Sequence, residues 1–231
     1  MAERRSRAES RAQTEKRIVE LGREHLAREG AAGLSLRAIA RDLNMVSSAI
    51  YRYVATRDDL LTLLLIDGYQ ELADTVQAAV DDVEPGAYRQ RLILACNAFR
   101  SWAVAEPSRY ALLYGSPVPG YRAPAERTVG PGTAVTALLL GELSAAHAAG
   151  ATTDPPPEWS VPELSTPFAA IRTEFAIAAP DWLLARAVGL WSGLVGAVNL
   201  EVFGQYGPDT FDRPDVLFNV LIEQQLDPVL M

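Results

Sequence analysis

Two short segments with apolar residues at helical spacing, joined by a turn of three or four residues, constrain the fold of this chain most. The first segment begins at Ser35, a predicted N-cap. Its apolar face consists of Leu36, Ile39, Ala40 and Leu43. Ser47 is predicted to cap a second helix that runs to about Tyr53. Thr56 with Asp59 forms a capping-box variant that starts a longer helix. Two short helices at this separation form a helix-turn-helix.

The rest of the chain has the same helical periodicity, and no run alternates with period two. Pro85-Gly86 and Pro107 are predicted to end helices, and the proline-rich segment 116–132 is predicted to be a loop. With the two short helices above, the pattern predicts helices over about 13–29, 57–82, 87–105, 133–149, 163–178, 181–205 and 214–226. The predicted fold class is therefore all-α, with about nine helices.

Charge is distributed unevenly along the chain. Residues 1–60 carry 12 Lys and Arg against 9 Asp and Glu, whereas the whole chain has a net charge of −8. This asymmetry is typical of a head that binds a polyanion, joined to an acidic body. Solvated charged faces unrelated to binding give the same pattern, so charge alone does not identify a partner.

Cysteine content and hydropathy limit the cellular setting. Cys96 is the sole cysteine, so no intrachain disulfide can form, and a reduced, cytoplasmic location is expected. The basic N-terminus is not followed by the apolar stretch of a secretory signal. The weakly polar run over 187–200 is too short to span a bilayer, so it is predicted to be a buried helix, and no membrane partner is expected.

The second helix of the motif is a candidate DNA-recognition helix. Its first residues, Ser47, Ser48 and Ala49, are small, so the backbone can approach base edges closely. The residues that follow can bond phosphates, namely Tyr51, Arg52 and Tyr53, together with Arg57 at the start of the next helix. Packing against the leucine-rich helix that follows is an alternative role for either tyrosine. Taken together with Arg37, the set favours DNA contact.

Residues 14–66 resemble the N-terminal domain of TetR-family transcriptional regulators. The shared motifs are Ser35-Leu36-Arg37-x-Ile39-Ala40, Val46-Ser47 and Ile50-Tyr51-x-Tyr53-Val54-x-x-Arg57-x-x-Leu60-Leu61. Tyr53, Val54 and Arg57 replace the usual histidine, phenylalanine and lysine of the family. Asn44 replaces the commoner turn glycine, and asparagine tolerates the αL conformation expected there.

The resemblance implies a role for each matching position. Base contacts are implied for Arg37, Ser47, Ser48 and Ala49, and phosphate contacts for Tyr51, Tyr53 and Arg57, with Arg52 able to make either. It also implies three parts: a flexible basic arm over 1–12, a helix-turn-helix domain over 13–60, and an effector-binding and dimerisation domain over 61–231. The implied partners are double-stranded DNA, a second copy of the chain and an unidentified small molecule.

The region 191–204 is similar to the Trp-His-Gly class of C-terminal domains in this family, although Val195 stands where the histidine is expected. Small residues recur every fourth position from 185 to 197, which allows close approach of another helix. Packing within the chain is the commoner use of such a stripe. A protein that recognises a DNA site with two-fold symmetry must be a dimer. We therefore predict an interface that includes Gly189, Gly193, Ala197 and Phe218.

Aromatic residues around the helix break at Pro107 are the candidate effector site. They are Phe99, Trp102, Tyr110 and Tyr114, with Tyr121 in the proline-rich loop. Aromatic residues at helical spacing are usually core, so packing is the alternative role. No spacing typical of a metal site or cofactor loop occurs, and neither a metal nor a cofactor is predicted.

These features favour a homodimeric repressor that a small molecule releases from near-palindromic DNA. The same head would serve an activator or a regulator without an effector. An all-α enzyme with an aromatic pocket is the alternative from another class. It is disfavoured because no acid, base or nucleophile pair occurs at recognisable spacing, so no catalytic residue is predicted.

Overall fold

The structure, a computed structural model, describes residues 2–155 and 162–230 and contains ten α-helices within them. They are α1 (Ala2–Gly33), α2 (Leu36–Asp42), α3 (Ser47–Ile50), α4 (Arg57–Asp81), α5 (Tyr88–Ala105), α6 (Pro107–Tyr114), α7 (Ala125–Ala148), α8 (Ser165–Phe175), α9 (Asp181–Val202) and α10 (Pro214–Leu226). A single 3₁₀ turn, Pro162–Leu164, precedes α8. The predicted all-α fold is confirmed.

The chain divides into two compact units. The head unit comprises Met1–Glu71 and Glu106–Gly132, and the body unit comprises Leu72–Ala105 and Thr133–Met231. The head unit therefore contains α1, α2, α3 and α6 together with the first parts of α4 and α7. In addition to the predicted helix-turn-helix segment 13–60, it includes the predicted arm and residues 61–71 and 106–132.

The head unit has its own apolar core. Ile18 and Leu26 of α1, Ile39 of α2, Ile50 of α3 and Leu61 of α4 are almost completely buried. Each such side chain stabilises the fold by roughly 1.5–3 kcal/mol through removal of apolar area from water. The predicted face formed by Leu36, Ile39, Ala40 and Leu43 packs in this cluster, with Leu43 partly buried.

Local capping signals in the sequence set the ends of the helices in the head unit. The Ser35 hydroxyl accepts a hydrogen bond from the backbone N–H of Ala38, as expected of an N-cap. The Thr56 and Asp59 side chains each accept from the backbone N–H of the other, at 3.0 Å, which is a reciprocal capping box. Asn44 has φ 54°, so the predicted αL residue of the turn is confirmed.

Several helix boundaries differ from the prediction. Helix α1 begins at Ala2, so the segment expected to be an arm continues the first helix, although Gly30 (φ 67°) interrupts its geometry near the predicted end. Helix α3 has only four residues, and its N-cap is Val46 rather than Ser47. Residues 51–53 continue α3 as a turn, in which the Tyr53 N–H donates to the Ile50 carbonyl at 2.9 Å.

Two proline residues account for the differences between the predicted and observed helices from α5 to α7. Pro107 is predicted only to end a helix, but it also occupies the first turn of α6. A backbone N–H in that turn has no hydrogen-bond partner within the helix, so proline, which lacks the N–H, is tolerated there. Helix α7 begins at Ala125, within the segment predicted to be a loop, and it continues through Pro131.

Helices α5, α9 and α10 pack together in the body unit. Helix α9 buries Leu183, Leu184, Ala187, Leu190, Leu194, Ala197 and Val198. By length and composition alone, α7 and α9 could each span a membrane. Helix α9 packs against α5 and α10 on the side that carries these buried residues, whereas Val188, Ser192 and Leu200 of the run predicted to be buried are exposed. Burial also raises the pKa of the Cys96 thiol to about 12, so the group is protonated and unreactive at neutral pH.

We expect Ile50→Ala to lower the free energy of unfolding by about 2–5 kcal/mol, because Ile50 is fully buried and a smaller side chain leaves a cavity. Chemical denaturation followed by circular dichroism measures the change. Val46→Ala is the matched control, since Val46 is 72% exposed beside the same helix and should change stability by less than about 0.5 kcal/mol. Equal losses in both variants would contradict this assignment of the core.

Candidate DNA-binding surface

Most of the predicted DNA-contacting side chains are exposed on the head unit. Arg37 of α2, Ser47 and Ser48 of α3, and Tyr51 and Arg52 in the turn after α3 all face solvent. Tyr51 is 44% exposed, which is high for an aromatic side chain. Buried Ile50 anchors α3 from the other side, so these hydroxyl and guanidinium groups are available to an external partner.

Ala49 is buried, unlike the other predicted base-contacting residues. Only 7% of it is exposed, because it lies on the same side of α3 as Ile50 and packs inward. The Ala49 side chain therefore faces the head core, and the predicted contact of Ala49 with a base stays a prediction. Its small size instead lets the four-residue helix lie close to the core.

Tyr53 lies at the edge of this surface and packs partly against the head core. The Arg11 guanidinium carbon is 5.7 Å from the centre of the Tyr53 ring, and Arg11 also donates to the Arg52 carbonyl at 3.4 Å. This cation–π contact brings a basic residue of α1 beside the exposed turn. The sequence places Arg11 in the predicted arm. Arg52 and Tyr53 lie more than 40 positions further along the chain, so no local sequence signal indicates that Arg11 contacts them.

Arg57 is already bonded within the head unit. Its guanidinium donates to the Ala31 carbonyl at 2.6 Å, which ties the start of α4 to the end of α1. A second guanidinium nitrogen lies 3.9 Å from an Asp58 carboxylate oxygen. The side chain is about one-third exposed, so one part of it supports the fold while the other reaches solvent. Its predicted contact with phosphate stays a prediction.

A buried histidine fixes the end of α2. His25 of α1 is 6% exposed, and its Nε2 lies 2.7 Å from the Asp42 carboxylate. This hydrogen bond holds the pKa of Asp42 below its ordinary value. Because α2 leads directly into the turn before α3, the pair helps to set the position of the exposed surface.

Four charged residues connect α1, α4 and α6 within the head unit. Arg109 of α6 is only 4% exposed and donates to Glu71 at 2.6 and 3.0 Å and to Asp67 at 3.2 Å. Arg23 of α1 bonds the same Asp67 through two guanidinium nitrogens, both at 2.6 Å. Removing one partner of a buried ion pair typically costs about 3–5 kcal/mol, because the other charge is left uncompensated. We call this set the Arg109 network.

The five predicted effector-binding residues are divided between the two units, and their predicted contact with an effector stays a prediction. Phe99 and Trp102 are buried in the body unit, where Phe99 contacts Trp191 edge-on with ring centres 5.7 Å apart. Tyr110, Tyr114 and Tyr121 belong to the head unit. Tyr110 and Tyr114 lie 5.2 Å apart between ring centres, and burial raises the pKa of both hydroxyls. The Tyr121 hydroxyl is 2.9 Å from the Thr62 hydroxyl. Packing, the alternative role, describes these contacts better.

The predicted dimer residues are used inside the chain. A Cβ atom built on Gly193 would lie 3.4 Å from the Gln225 side chain of α10, and one on Gly189 would lie 3.8 Å from it. Ala197 and Phe218 are buried in the same chain. Gly189 and Gly193 are partly buried beside Gln225, so these two glycines allow α10 to lie close to α9. The predicted interface at the four residues stays a prediction.

A different part of the same two helices is apolar and exposed. Leu200 and Phe203 at the end of α9, with Val216 and Val220 at the start of α10, are between 38% and 48% exposed. We call these four residues the apolar face. Periodicity alone did not separate them from the buried side of each helix, because α9 is apolar on most of its circumference.

Among residues 2–155 and 162–230, no group of three or more His, Cys, Asp or Glu side chains is arranged to hold a metal ion. In the head unit, the carboxylates of Asp42, Asp58 and Asp59 belong to the cap and ion-pair contacts described above.

Comparison with known proteins identifies relatives for nearly the whole chain. Residues 92–225 match a family model described as the tetracyclin repressor-like C-terminal domain. The HTH-type transcriptional regulator Rv1816 of Mycobacterium tuberculosis (strain ATCC 25618 / H37Rv) is 50% identical over 216 residues, which cover 92% of this chain and 91% of that protein. The HTH-type transcriptional regulator Mb1846 of Mycobacterium bovis matches equally well.

Solved structures have the same fold. The crystal structure of SCO4313, described as a candidate regulatory protein, aligns with a TM-score of 0.77 and 33% identity, covering 96% of this chain and 98% of that one. A bacterial regulatory protein of the TetR family from Rhodococcus RHA1 aligns with a TM-score of 0.59 and 17% identity, covering 93% and 96%. At that lower identity the likeness concerns the fold alone.

We expect Asp42→Asn to lower the melting temperature at pH 7, because it removes the negative partner of His25. The lowered pKa of Asp42 means that the carboxylate stabilises the fold above the unfolded-state pKa of about 3.9. This contribution is lost as the pH falls through the still lower folded-state pKa. The difference between wild type and variant should therefore shrink as the pH is lowered from 5 towards 2.

Thermal unfolding at a series of pH values measures this difference. Asp82→Asn, at an exposed carboxylate near the end of α4, is the matched control and should change little at any pH. A gap between wild type and Asp42→Asn that stays constant down to pH 2 would show that the carboxylate charge is not what stabilises the α1–α2 contact.

Proposed function

Since this chain belongs to the TetR family of DNA-binding transcriptional regulators, we propose that it is a homodimeric repressor that a small molecule releases from its operator. This family is a family of transcriptional regulators and not of enzymes. The observation that carries the proposal is the exposed set Arg37, Ser47, Ser48, Tyr51 and Arg52, presented by a head unit with its own buried core. A regulator of transcription acts in the cytoplasm of a bacterial cell, and we propose that location here.

The chemistry of these side chains suits two kinds of DNA contact. Ser47 and Ser48 begin α3, and serine hydroxyls can donate to or accept from base edges in the major groove. Arg37 of α2 can make the bidentate contact that arginine forms with guanine. Tyr51 and Arg52 follow α3, where the chain would pass the phosphate backbone, and contacts there position the protein without reading sequence.

A dimer would present two copies of this surface. Two recognition helices about 34–36 Å apart can enter successive major grooves of a near-palindromic operator. The apolar face on α9 and α10 supports this assembly, because the two helices pack together and expose several large apolar side chains, which are typical of interaction surfaces. Pairing the last two helices of each copy would form a four-helix arrangement about a two-fold axis.

Release by a small molecule requires two arrangements of the protein with different affinities for DNA. The Arg109 network supports such coupling, because it links α6 to α1 and α4 through ion pairs around the buried Arg109 side chain, which a shift of α6 would break or rearrange. Helix α4 contributes residues to both units and is the proposed lever. An activator with the same head would raise transcription of a reporter that carries the operator, whereas the proposed repressor would lower it.

We expect substitutions on the exposed surface to fall into two classes. Tyr51→Phe should weaken binding to every DNA sequence by a similar factor, because it removes one hydroxyl from a phosphate contact. Arg37→Ala and Ser48→Ala should instead change which bases are preferred, at a cost of about 1–3 kcal/mol for the arginine. Binding isotherms on an operator selected from a random DNA pool, and on its single-base variants, measure both effects.

Arg213→Ala is the matched control for loss of charge, because Arg213 is an exposed arginine of the body unit, paired with Asp215. It should leave operator affinity unchanged. Wild-type affinity should also fall steeply as salt rises, since phosphate contacts release counterions. Identical base preferences for all the head variants would contradict the proposed division between base and phosphate contacts.

We expect Val220→Glu to convert the dimer to monomers by weakening self-association at least 100-fold. The two-fold axis would bring two added carboxylates into one apolar interface, where unpaired charges are costly. Sedimentation velocity measures the mass in solution. The control is Val104→Glu on α5, a valine of similar exposure outside the apolar face. A Val220→Glu protein with the wild-type mass would remove this face from the proposed interface.

A further inference from the structure

A small apolar cavity lies in the body unit between α7, α8 and α9. Its volume is about 90 Å³. Its wall is formed by Thr136, Leu139, Leu140, Ile171, Phe175, Leu184, Ala187, Val188 and Trp191. None of the five aromatic residues predicted to bind an effector belongs to this wall, so the cavity is a site that sequence reasoning missed.

The composition of the wall selects against charged and strongly polar molecules. Among the described residues, no charged side chain lines the cavity, and the Thr136 hydroxyl and the Trp191 indole N–H are the side-chain polar groups of the wall. Arg172 and Asp181 are near in sequence to lining residues. They bond each other at 2.8 Å, and Arg172 also donates to the Ala179 carbonyl at 3.0 Å. A charged ligand would therefore lose its hydration without gaining a partner.

The volume limits the size of the ligand. A cavity needs about 10–15 Å³ to hold a water molecule, and a dry engineered cavity of about 150 Å³ lined by Leu, Ile and Phe binds benzene. A volume of about 90 Å³ is therefore suited to one small ring or a short hydrocarbon chain, with a small outward shift of one wall. The rigid wall is the one that contains Trp191, because Phe99 supports its ring edge-on.

Helix α8 is the least buried of the three helices around the cavity. It buries only Phe168, and it is joined to α9 by a short connection in which Ala176 has φ 51°, in the left-handed region. Polar contacts to the start of α9 hold it down, since Asp181 accepts from the Ser165 hydroxyl at 2.6 Å and from Arg172. These bonds hold the pKa of Asp181 below its usual value, so the tether is charged at neutral pH.

We propose that this cavity is a binding site for a small, uncharged, largely apolar molecule such as a single aromatic ring, covered by α8. The inference rests on the proposed function, since the bound molecule would be the effector that releases the regulator from DNA. The ring would lie between the aliphatic side chains of α7 and the indole of Trp191. A single hydroxyl or carbonyl group on it could bond the Thr136 hydroxyl.

Titration calorimetry with toluene and with benzoate tests the site on the full-length protein. The two probes share a ring of similar shape, but benzoate carries a charge. Toluene should bind at one site per chain, and benzoate should bind at least 100-fold more weakly. Ala187→Phe fills the cavity and should weaken toluene binding at least tenfold. Ala145→Phe, at an exposed position of α7, is the matched control and should leave binding unchanged.

If Ala187→Phe does not fold, Thr136→Phe is the second cavity-filling variant. Thr136 lines the cavity from α7 and is less buried than Ala187, so the larger side chain disturbs the core less there. Equal affinities for toluene and benzoate, no toluene binding, or binding unaffected by both cavity-filling variants would each overturn the site. Operator release is measured separately. Toluene that binds in an Ala187-dependent way without releasing DNA would support the cavity while contradicting ligand release as the proposed function.

Discussion

Burial of Ile50 and its neighbours in the head core determines where α3 lies, and the DNA-facing surface depends on that position. A helix of four residues cannot be stable alone, because nucleation fixes several residues for a single hydrogen bond. Ala49 and Ile50 hold α3 from inside, while the His25–Asp42 pair fixes the end of α2 and the Thr56–Asp59 box fixes the start of α4. The exposed serines, Tyr51 and Arg52 have defined positions because their buried neighbours do.

Arginine serves two purposes in this chain. Arg23 and Arg109 are bonded to Asp67 and Glu71, and in the body unit Arg91 bonds Glu142 while Arg100 bonds Glu201. These pairs connect helices and neutralise acidic residues that would otherwise repel one another. Arg37 and Arg52, by contrast, point their charge to solvent on the head unit. Exposed guanidinium groups without a carboxylate partner are what a polyanion requires, and the charge balance of the sequence does not separate them from arginines paired inside the fold.

Signals confined to a few neighbouring residues predicted the structure well, whereas long-range contacts could not be predicted. The Ser35 cap, the αL turn at Asn44 and the Thr56–Asp59 box depend on residues within three or four positions of each other, and all are present. Helix α6 was missed because Pro107 suits both the end of one helix and the first turn of the next. The Arg109 network, the inward position of Ala49 and the packing of the α9 stripe on Gln225 are set by distant elements, which periodicity does not specify.

Photo-crosslinking tests most directly whether the exposed face of α3 is the DNA-binding surface. A photoreactive amino acid replaces either Ser48 or Val220, and each protein is irradiated in complex with operator DNA. The account predicts that the probe at position 48 crosslinks to DNA and the probe at position 220 crosslinks to a second copy of the chain. A probe at position 48 that reacts only with protein, under conditions where the operator is fully bound, would contradict it.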